Sequence, residues 1–367
     1  MLSPHTLILL AGLALALAAC RPAAPATPTP SQVPTSMTAP ASTLPAAPTG
    51  DPSQGSGQAA APPTPTPTAF NFTLLTPGAW TQLKSMPTSR SEMPAVVLGG
   101  LIYVPGGFGN GQEEFAARAL EAYDPLTDSW HKLAPMPGGR HHAMAAGLDG
   151  RLYVFGGACI PACINGSDTA WVYDPVEDAW RELAPMPERR TAGAAVALEG
   201  FLYVVGGTGD TGDLLRYDPG ENAWTRLAPL LERREHTAAV AVEGEIYALG
   251  GRWLVEMNSV EIYDPGTDAW RTVRPMFTAR AGHGAAVLDG KIHVLGGEVF
   301  LSTPSPVTLD SVEVLDPVTG VWRSAGTLPT PLHGLPAAVY EGVLYALGGS
   351  SRAAGIANQG RVYGWRP

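Results

Sequence analysis

Short apolar runs recur along most of the chain, and each of them ends in a pair of glycines. The pairs begin at positions 106, 156, 206, 250, 296 and 348, which makes the spacings 50, 50, 44, 46 and 52 residues. Leu152-Tyr153-Val154-Phe155 is a typical run. Short apolar runs bounded by glycine are typical of buried strands, and self-similarity at this period indicates a repeat architecture.

Further markers keep a fixed register with the glycine pairs. An aromatic or apolar residue followed by Asp-Pro precedes a tryptophan by seven residues in five units, namely Tyr123/Trp130, Tyr173/Trp180, Tyr217/Trp224, Tyr263/Trp270 and Leu315/Trp322. An arginine lies 16 residues before five of the six pairs, and Leu332 holds the sixth position. We expect the tyrosines and tryptophans to form the core between repeats.

Each unit divides into four predicted strands, a to d. Strand a follows the arginine and ends at a two-residue turn such as Asp149-Gly150, which favours a tight hairpin. Strand b is the apolar run, and strand c carries the tyrosine and stops at Asp-Pro, since proline cannot continue a ladder. Strand d begins near the tryptophan.

This arrangement resembles the kelch repeat over about residues 72–367, and kelch units of this kind form the blades of β-propellers. The sixth unit ends after its c strand, at residues 360–367, whereas an unpaired d strand, residues 80–83, precedes the first arginine. The two ends complete one blade between them, which removes exposed sheet edges. We therefore predict an all-β fold for residues 71–367: a six-bladed propeller of four-stranded blades, with its ring closed by an N-terminal strand.

Alanine occupies the position five residues after the arginine in every unit, at Ala95, Ala145, Ala195, Ala239, Ala285 and Ala337. Six innermost strands converging on an axis leave room only for small side chains. We expect these alanines to line the axis as packing residues.

The N-terminus has the pattern of an export signal. Residues 6–19 form an uncharged apolar run, too short to span a bilayer, and residues 1–19 are predicted to be a signal peptide. Leu17-Ala18-Ala19-Cys20 resembles a bacterial lipobox and predicts lipidation of Cys20, although residues 1–5 contain no lysine or arginine. A plain cleaved signal is the alternative. The predicted location is outside the cytoplasm, at the cell surface or in the periplasm, on a membrane anchor.

Residues 20–70 are rich in proline, alanine and threonine, and we expect a disordered tether because so little apolar surface cannot offset the entropy of ordering. With Cys20 assigned to the lipid, two of the three cysteines are left, Cys159 and Cys163. In an exported chain this pair predicts a disulfide. The net charge of −10 argues against nucleic acid as a partner. We expect a monomer that needs no cofactor.

Strand direction places the start of strand a, the end of strand b and the long b–c loops at one end of the ring, called the loop face below. Variable loops on a rigid scaffold usually carry binding. The predicted ligand-binding residues on this face are Arg90, Arg140, His142, Arg190, Arg234, His236, Arg280, His283, His333 and Trp253. The alternative for the arginines is a structural role, bonded to loop carbonyls or carboxylates. The candidate catalytic residues are Glu92, Glu235, His236 and His283.

The histidines near the axis follow the arginine register by one, two or three residues, which indicates different depths, and no metal site is predicted. We expect a binding module for a protein or a glycan. One alternative is a sugar-acid epimerase or mutarotase, because bacterial N-acetylneuraminate epimerases are also exported six-bladed kelch proteins. It predicts a Glu and a His converging with at least two Arg and a raised carboxylate pKa. Another alternative is a structural component of an envelope complex.

Overall fold

The structure is a computed structural model that describes residues 75–109, 117–159, 162–209 and 212–367. The predicted signal peptide, Cys20 and the tether lie outside the described residues, and all three stay predictions. Within the described ranges, no helix has the length and apolarity needed to cross a membrane.

The described residues form six antiparallel four-stranded sheets, which confirms the predicted six-bladed all-β propeller. The strands of the first three blades are β2 (Val96–Leu98), β3 (Leu101–Pro105), β4 (Leu120–Asp124) and β5 (Ser129–Leu133); β6 (Met144–Leu148), β7 (Arg151–Phe155), β8 (Ala170–Asp174) and β9 (Ala179–Glu182); and β10 (Ala194–Leu198), β11 (Phe201–Val205), β12 (Asp213–Asp218) and β13 (Ala223–Pro229).

The strands of the other three blades are β14 (Ala238–Val242), β15 (Glu245–Leu249), β16 (Val260–Asp264) and β17 (Ala269–Val273); β18 (Gly284–Leu288), β19 (Lys291–Leu295), β22 (Ser311–Asp316) and β23 (Val321–Thr327); and β24 (Ala337–Tyr340), β25 (Val343–Leu347), β26 (Val362–Trp365) and β1 (Thr81–Leu83). A small hairpin of β20 (Glu298–Val299) and β21 (Val307–Thr308) lies in the b–c loop of blade 5.

The first strand closes the ring. Strand β1 pairs with β26, so that Thr81 lies opposite Gly364 and Leu83 lies opposite Val362. Leu83 is buried in a core cluster that joins blade 6 to blade 1. The prediction that the two ends of the propeller share one blade is confirmed.

The glycine pairs are the points at which neighbouring blades meet. In each blade the second glycine donates its amide to the carbonyl of the arginine-register residue of the next blade, as Gly251 does to Arg280 over 2.8 Å and Gly349 to Arg90 over 2.9 Å. Both glycines have positive φ, and a Cβ on the first would lie within 2.9 Å of that carbonyl oxygen. Glycine is required there because the two backbones leave no space for a side chain.

A second contact ties the turn between strands c and d to the preceding blade. The Tyr173 hydroxyl donates to the Asp178 carboxylate, and the same oxygen accepts the amide of Ala134 in blade 1. The Trp180 indole donates to the Ala134 carbonyl over 2.9 Å. Equivalent contacts are made by Tyr123, Asp128 and Trp130; Tyr217, Asn222 and Trp224; and Tyr263, Asp268 and Trp270. The tyrosine and tryptophan registers thus hold one blade to the next.

Candidate functional site

Six residues, one from each blade, form a closed circle of backbone hydrogen bonds around the axis. They stand two residues after the arginine register, the +2 position, and each donates its amide to the carbonyl of its neighbour over 2.6–2.9 Å. All have φ between 49° and 60°, and in order around the ring they are Glu92, His142, Ala192, His236, Gly282 and Gly334. Positive φ costs free energy in residues other than glycine, so three large side chains at such positions indicate a function.

Three of these six positions bring ionisable side chains together. One ligand atom from each of Glu92, His142 and His236 lies within 4.8 Å of the others. His142 Nε2 lies 3.2 Å from a Glu92 carboxylate oxygen. The three side chains are 11–13% exposed, so they are largely buried yet reachable from the loop face.

A second layer of charged groups surrounds these three side chains. Glu235 lies 3.1 Å from His236 Nδ1 and accepts a hydrogen bond from Arg252 Nε over 2.7 Å. Arg252 also donates to Glu298 over 2.8 Å. His333 Nδ1 lies 3.3 Å from Glu92 and 3.5 Å from Glu298. Every carboxylate at the axis therefore faces a guanidinium group or an imidazole.

The two carboxylates predicted as catalytic candidates favour their charged form. Burial alone would raise the pKa of the Glu92 carboxyl, but the imidazoles of His142 and His333 lower it below its usual range. Burial opposes ionisation of Glu235 as well, whereas its bond to His236 and the charge of Arg252 lower its pKa to about 2. Neither carboxyl is a proton donor near neutral pH.

The imidazoles around the axis fall into two classes. Burial lowers the pKa of His142 to about 3 and that of His141 to about 4, so both rings are neutral near pH 7. His333 is also buried, but Glu92 and Glu298 raise its pKa to about 9. His283, at the +3 position directly before strand β18, also lines the channel, and burial lowers its pKa to about 3.

The channel below the +2 circle is narrow. All six alanines of the +5 position line it, as predicted from their spacing, and its volume is about 160 Å³. Small-molecule sites usually enclose roughly 300–1,000 Å³. The channel is therefore smaller than a usual small-molecule site, and it has room for an ion or a few waters at its mouth.

Four of the five predicted ligand-binding arginines lie inside the blades. Arg90, Arg190, Arg234 and Arg280 have no exposed surface, and each donates to the carbonyl of the first glycine of its own blade. Their carboxylate partners are Glu121, Glu188, Glu261 and Glu313. This arrangement matches the structural alternative stated from the sequence, and these guanidinium groups do not reach the axis.

The exceptions support the same interpretation. In blade 2 the position of the glutamate is taken by Trp171, and Arg140 lies over its ring at 4.8 Å. In blade 6 the pair is replaced by Leu332 and Tyr363. Blades 1, 4 and 5 thus have both the arginine and the strand-c glutamate, and blade 6 has neither. Blades 2 and 3 keep the arginine without that glutamate, and in blade 3 Leu215 replaces it and Arg190 pairs with Glu188 instead.

Trp253 and the predicted disulfide lie in the b–c loops. Trp253 is 39% exposed, and the Arg233 guanidinium covers one face of its ring at 4.4 Å. Cys159 and Cys163 form the predicted disulfide in the loop of blade 2. Ile164 follows this disulfide and is 63% exposed. A cleft of about 610 Å³ is lined by Ile164, Trp253 and residues of blade 3 between them.

Comparison with known families agrees with this architecture. The profile described as the KLHDC2/KLHL20/DRC7 Kelch-repeats domain matches residues 66–251, which is half of the chain, and the Kelch motif matches residues 233–277 and 279–329. The chain belongs to the kelch-repeat family.

Among solved structures, the one titled "Structure of YjhT" is similar to this kelch chain with a TM-score of 0.66 at 18% identity. The match covers 76% of this chain and 95% of that one. At this identity the likeness shows the fold alone. No curated protein matches the sequence.

Two members of the site, Arg252 and Glu298, were not singled out from the sequence. Both stand 18 residues after the register arginine of their blade, the +18 position, directly after the glycine pair. At this position the backbone pairs with the residue that follows the arginine, as Arg252 does with Glu235 and Glu298 with Ala281. The shared +2 offset of Glu92, His142 and His236 was also overlooked. It was readable from the sequence, and it shows that His142 and His236 do not lie at different depths.

Proposed function

We propose that this kelch propeller is an extracytoplasmic binding module that holds a partner protein on its loop face. The observation that carries this proposal is a set of exposed apolar side chains in the b–c loops. Among the described residues this set comprises Ile164, Trp253, Leu254, Val255, Leu301, Val307 and Ile356. Exposed apolar groups collected on one face are typical of protein interaction sites.

The Ile164–Trp253 cleft is the best place for a partner to insert. Thr191, Thr208, Glu188 and Arg189 also line it. Because Glu188 pairs with Arg190 and Arg226, Arg189 and the Arg233 guanidinium over the Trp253 ring add positive charge to a partly apolar cleft. An extended segment with an apolar side chain and a neighbouring carboxylate is complementary to such a cleft.

A protein suits this face better than a glycan. Six of the seven exposed apolar side chains in the b–c loops are aliphatic, whereas sugar rings stack on open aromatic faces. Trp253 is the one aromatic member of the set, and Arg233 already occupies one face of it.

The mutarotase alternative has weaker support. A glutamate and a histidine do converge at the axis, but among the described residues Arg252 is the one arginine whose guanidinium contacts that network. The pKa values of Glu92 and Glu235 are lowered, whereas a general acid would need a raised one. Incubation with N-acetylneuraminate anomers followed by NMR tests this alternative directly, and catalysed interconversion would replace the binding proposal.

The binding proposal is tested by site-specific photo-crosslinking in the cells that make the protein. A benzophenone side chain at Ile164 should yield discrete adducts with a partner protein, and Trp253→Ala should reduce them. The matched control is the same probe at Val176, which is 90% exposed in the turn after Asp174-Pro175 at the other end of the blade. Equal labelling from both positions, or none from Ile164, contradicts the proposal.

The identity of the crosslinked partner also distinguishes a binding module from a structural component of an envelope complex. The proposed location has its own test: Cys20→Ala should release the protein from membranes. Persistent membrane association of that variant contradicts the lipid anchor.

A further inference from the structure

The three side chains at the +2 circle form an arrangement that binding of a protein partner does not explain. Glu92, His142 and His236 share no residue with the Ile164–Trp253 cleft, and they point one carboxylate and two imidazoles at the same space. Two histidines and one carboxylate are a ligand set that binds transition metals in proteins.

The distances suit a metal ion after small side-chain movements. Zinc–ligand bonds of about 2.0–2.2 Å in tetrahedral geometry separate neighbouring ligand atoms by roughly 3.4 Å. His142 Nε2 and the Glu92 oxygen already lie 3.2 Å apart. The largest separation in the group is no more than 4.8 Å, so the third ligand has to move by at most about 1.4 Å.

The contacts behind these ligands orient their nitrogen atoms. Glu235 faces His236 Nδ1 at 3.1 Å, which makes Nε2 of that ring the ligand atom. Arg252 Nη2 lies 3.1 Å from this Nε2, so the Arg252 side chain has to move aside when a metal ion binds. The His141 ring nitrogen contacts His142 Nδ1, which leaves His142 Nε2 directed at Glu92. A carboxylate or another acceptor behind a ligating histidine is a usual feature of metal sites, since it fixes the tautomer.

The local charge also favours a cation. Three carboxylates, Glu92, Glu235 and Glu298, surround the axis. Arg252 lies near the His236 ring at 3.1 Å, but Glu235 and Glu298 each accept a hydrogen bond from it. The three carboxylates therefore outnumber the two groups that oppose them, the Arg252 guanidinium and the His333 imidazole.

We propose that Glu92, His142 and His236 bind one Zn²⁺ ion at the loop-face mouth of the channel. Three protein ligands leave at least one coordination position open toward the loop face, as in zinc sites that take up water or a ligand. Magnesium is a poor candidate because it prefers oxygen ligands to imidazole.

The test is calorimetric titration of the metal-free full chain with zinc chloride. We expect one ion per chain and a higher unfolding temperature in its presence. His142→Ala and His236→Ala should each lower the affinity by at least about 100-fold, and Glu235→Gln, which removes an outer contact, by roughly 10- to 100-fold.

The fold offers two controls for this test. Ala192 occupies the equivalent +2 position of blade 3 with φ of 60°, so alanine is compatible with the backbone of the circle. His131 is exposed on β5, and His131→Ala should leave zinc binding unchanged. Bound Co²⁺ should show the visible absorption of a site with nitrogen ligands. The proposal is overturned if the natural chain does not bind zinc. It is also overturned if both histidine variants remain folded and bind zinc as tightly as the natural chain.

Discussion

The backbone amide of Glu92 donates a hydrogen bond to the carbonyl oxygen of Gly334 over 2.8 Å, and this bond joins the first blade to the last. The same residue directs its carboxylate at His142. Ring closure and the candidate site therefore depend on one backbone position. A carboxylate held from a closed circle of hydrogen bonds is fixed in direction before any ligand arrives.

The two glycines of the circle should differ in their tolerance of alanine. A Cβ on Gly334 would lie 2.9 Å from the Glu92 amide nitrogen and against its carboxylate, whereas a Cβ on Gly282 would meet its nearest atom at 3.4 Å. We expect Gly282→Ala to cost about 1 kcal/mol, from positive φ alone. Gly334→Ala should cost about 2–3 kcal/mol because Glu92 must also move.

Chemical denaturation of both variants measures this difference, and the zinc affinity of Gly334→Ala should fall with it. Equal destabilisation by the two substitutions would contradict the role assigned to Glu92 at the closure.

The fold was predictable because each contact between blades recurs in the sequence. Glycine pairs, Asp-Pro turns and tryptophans mark the same backbone requirement in successive blades, and the ring has no edge once β1 pairs with β26. The direction of the Arg90 side chain and its equivalents was less predictable, since an arginine at the start of strand a can face either the axis or the blade. Glu121, 15 residues after the first glycine pair begins at Gly106, is the partner that decides it.

Asp178 should tolerate asparagine but not alanine. Its carboxylate accepts the Tyr173 hydroxyl and the Ala134 amide, and Asn222 performs the same two functions in blade 3 with its amide oxygen. Asparagine also tolerates the positive φ of this position, which is 46°. We expect Asp178→Asn to change the unfolding free energy by less than about 1 kcal/mol and Asp178→Ala to lower it by roughly 2–3 kcal/mol. Similar losses of unfolding free energy in both variants would show that the two hydrogen bonds to residue 178 do not account for its contribution to stability.

Arg280 should be more costly to remove than Arg140. Arg280→Leu leaves Glu313 buried without its cation, which typically costs about 3–5 kcal/mol. Among the described residues no carboxylate lies within ion-pair distance of Arg140, which stacks on Trp171 instead. We expect Arg140→Leu to cost less, roughly 1–2 kcal/mol. Urea denaturation of both variants provides the comparison, and a larger loss from Arg140→Leu would argue that this arginine has partners other than Trp171.

The candidate site was only partly predictable. Glu92, Glu235, His142, His236 and His333 stood out because ionisable residues gathered near the arginine register. Sequence counting alone gives their order around the ring. It does not say which +18 residue reaches across to a neighbouring blade, as Arg252 does to Glu298 over 2.8 Å. That contact depends on loop conformation, which no repeat marker specifies.

Glu256 should make the stability of the loop face depend on pH. Its carboxylate accepts hydrogen bonds from the amides of Phe300, Leu301 and Ser302 and from the Ser302 hydroxyl, which ties the blade 4 loop to the blade 5 loop. Burial alone would raise the pKa of Glu256, but these bonds lower it to about 2. A folded-state pKa below the usual value of 4.5 means that the stabilisation is complete above about pH 4.5 and is lost as the pH falls toward 2.

We therefore expect Glu256→Gln to be less stable than the natural chain by about 2–3 kcal/mol at pH 7, with the difference shrinking steadily between pH 4.5 and 3. Comparing the two chains at each pH cancels the titration of the other carboxylates. Glu177→Gln, in an exposed turn at the other end of the blades, is the matched control and should show no such trend. The protection of the amides of residues 300–302 against hydrogen exchange, taken relative to the intrinsic rate at each pH, should fall in acid in the natural chain and be low at every pH in Glu256→Gln. A difference between the two chains that stays constant down to pH 3 would mean that the Glu256 charge does not hold these loops together.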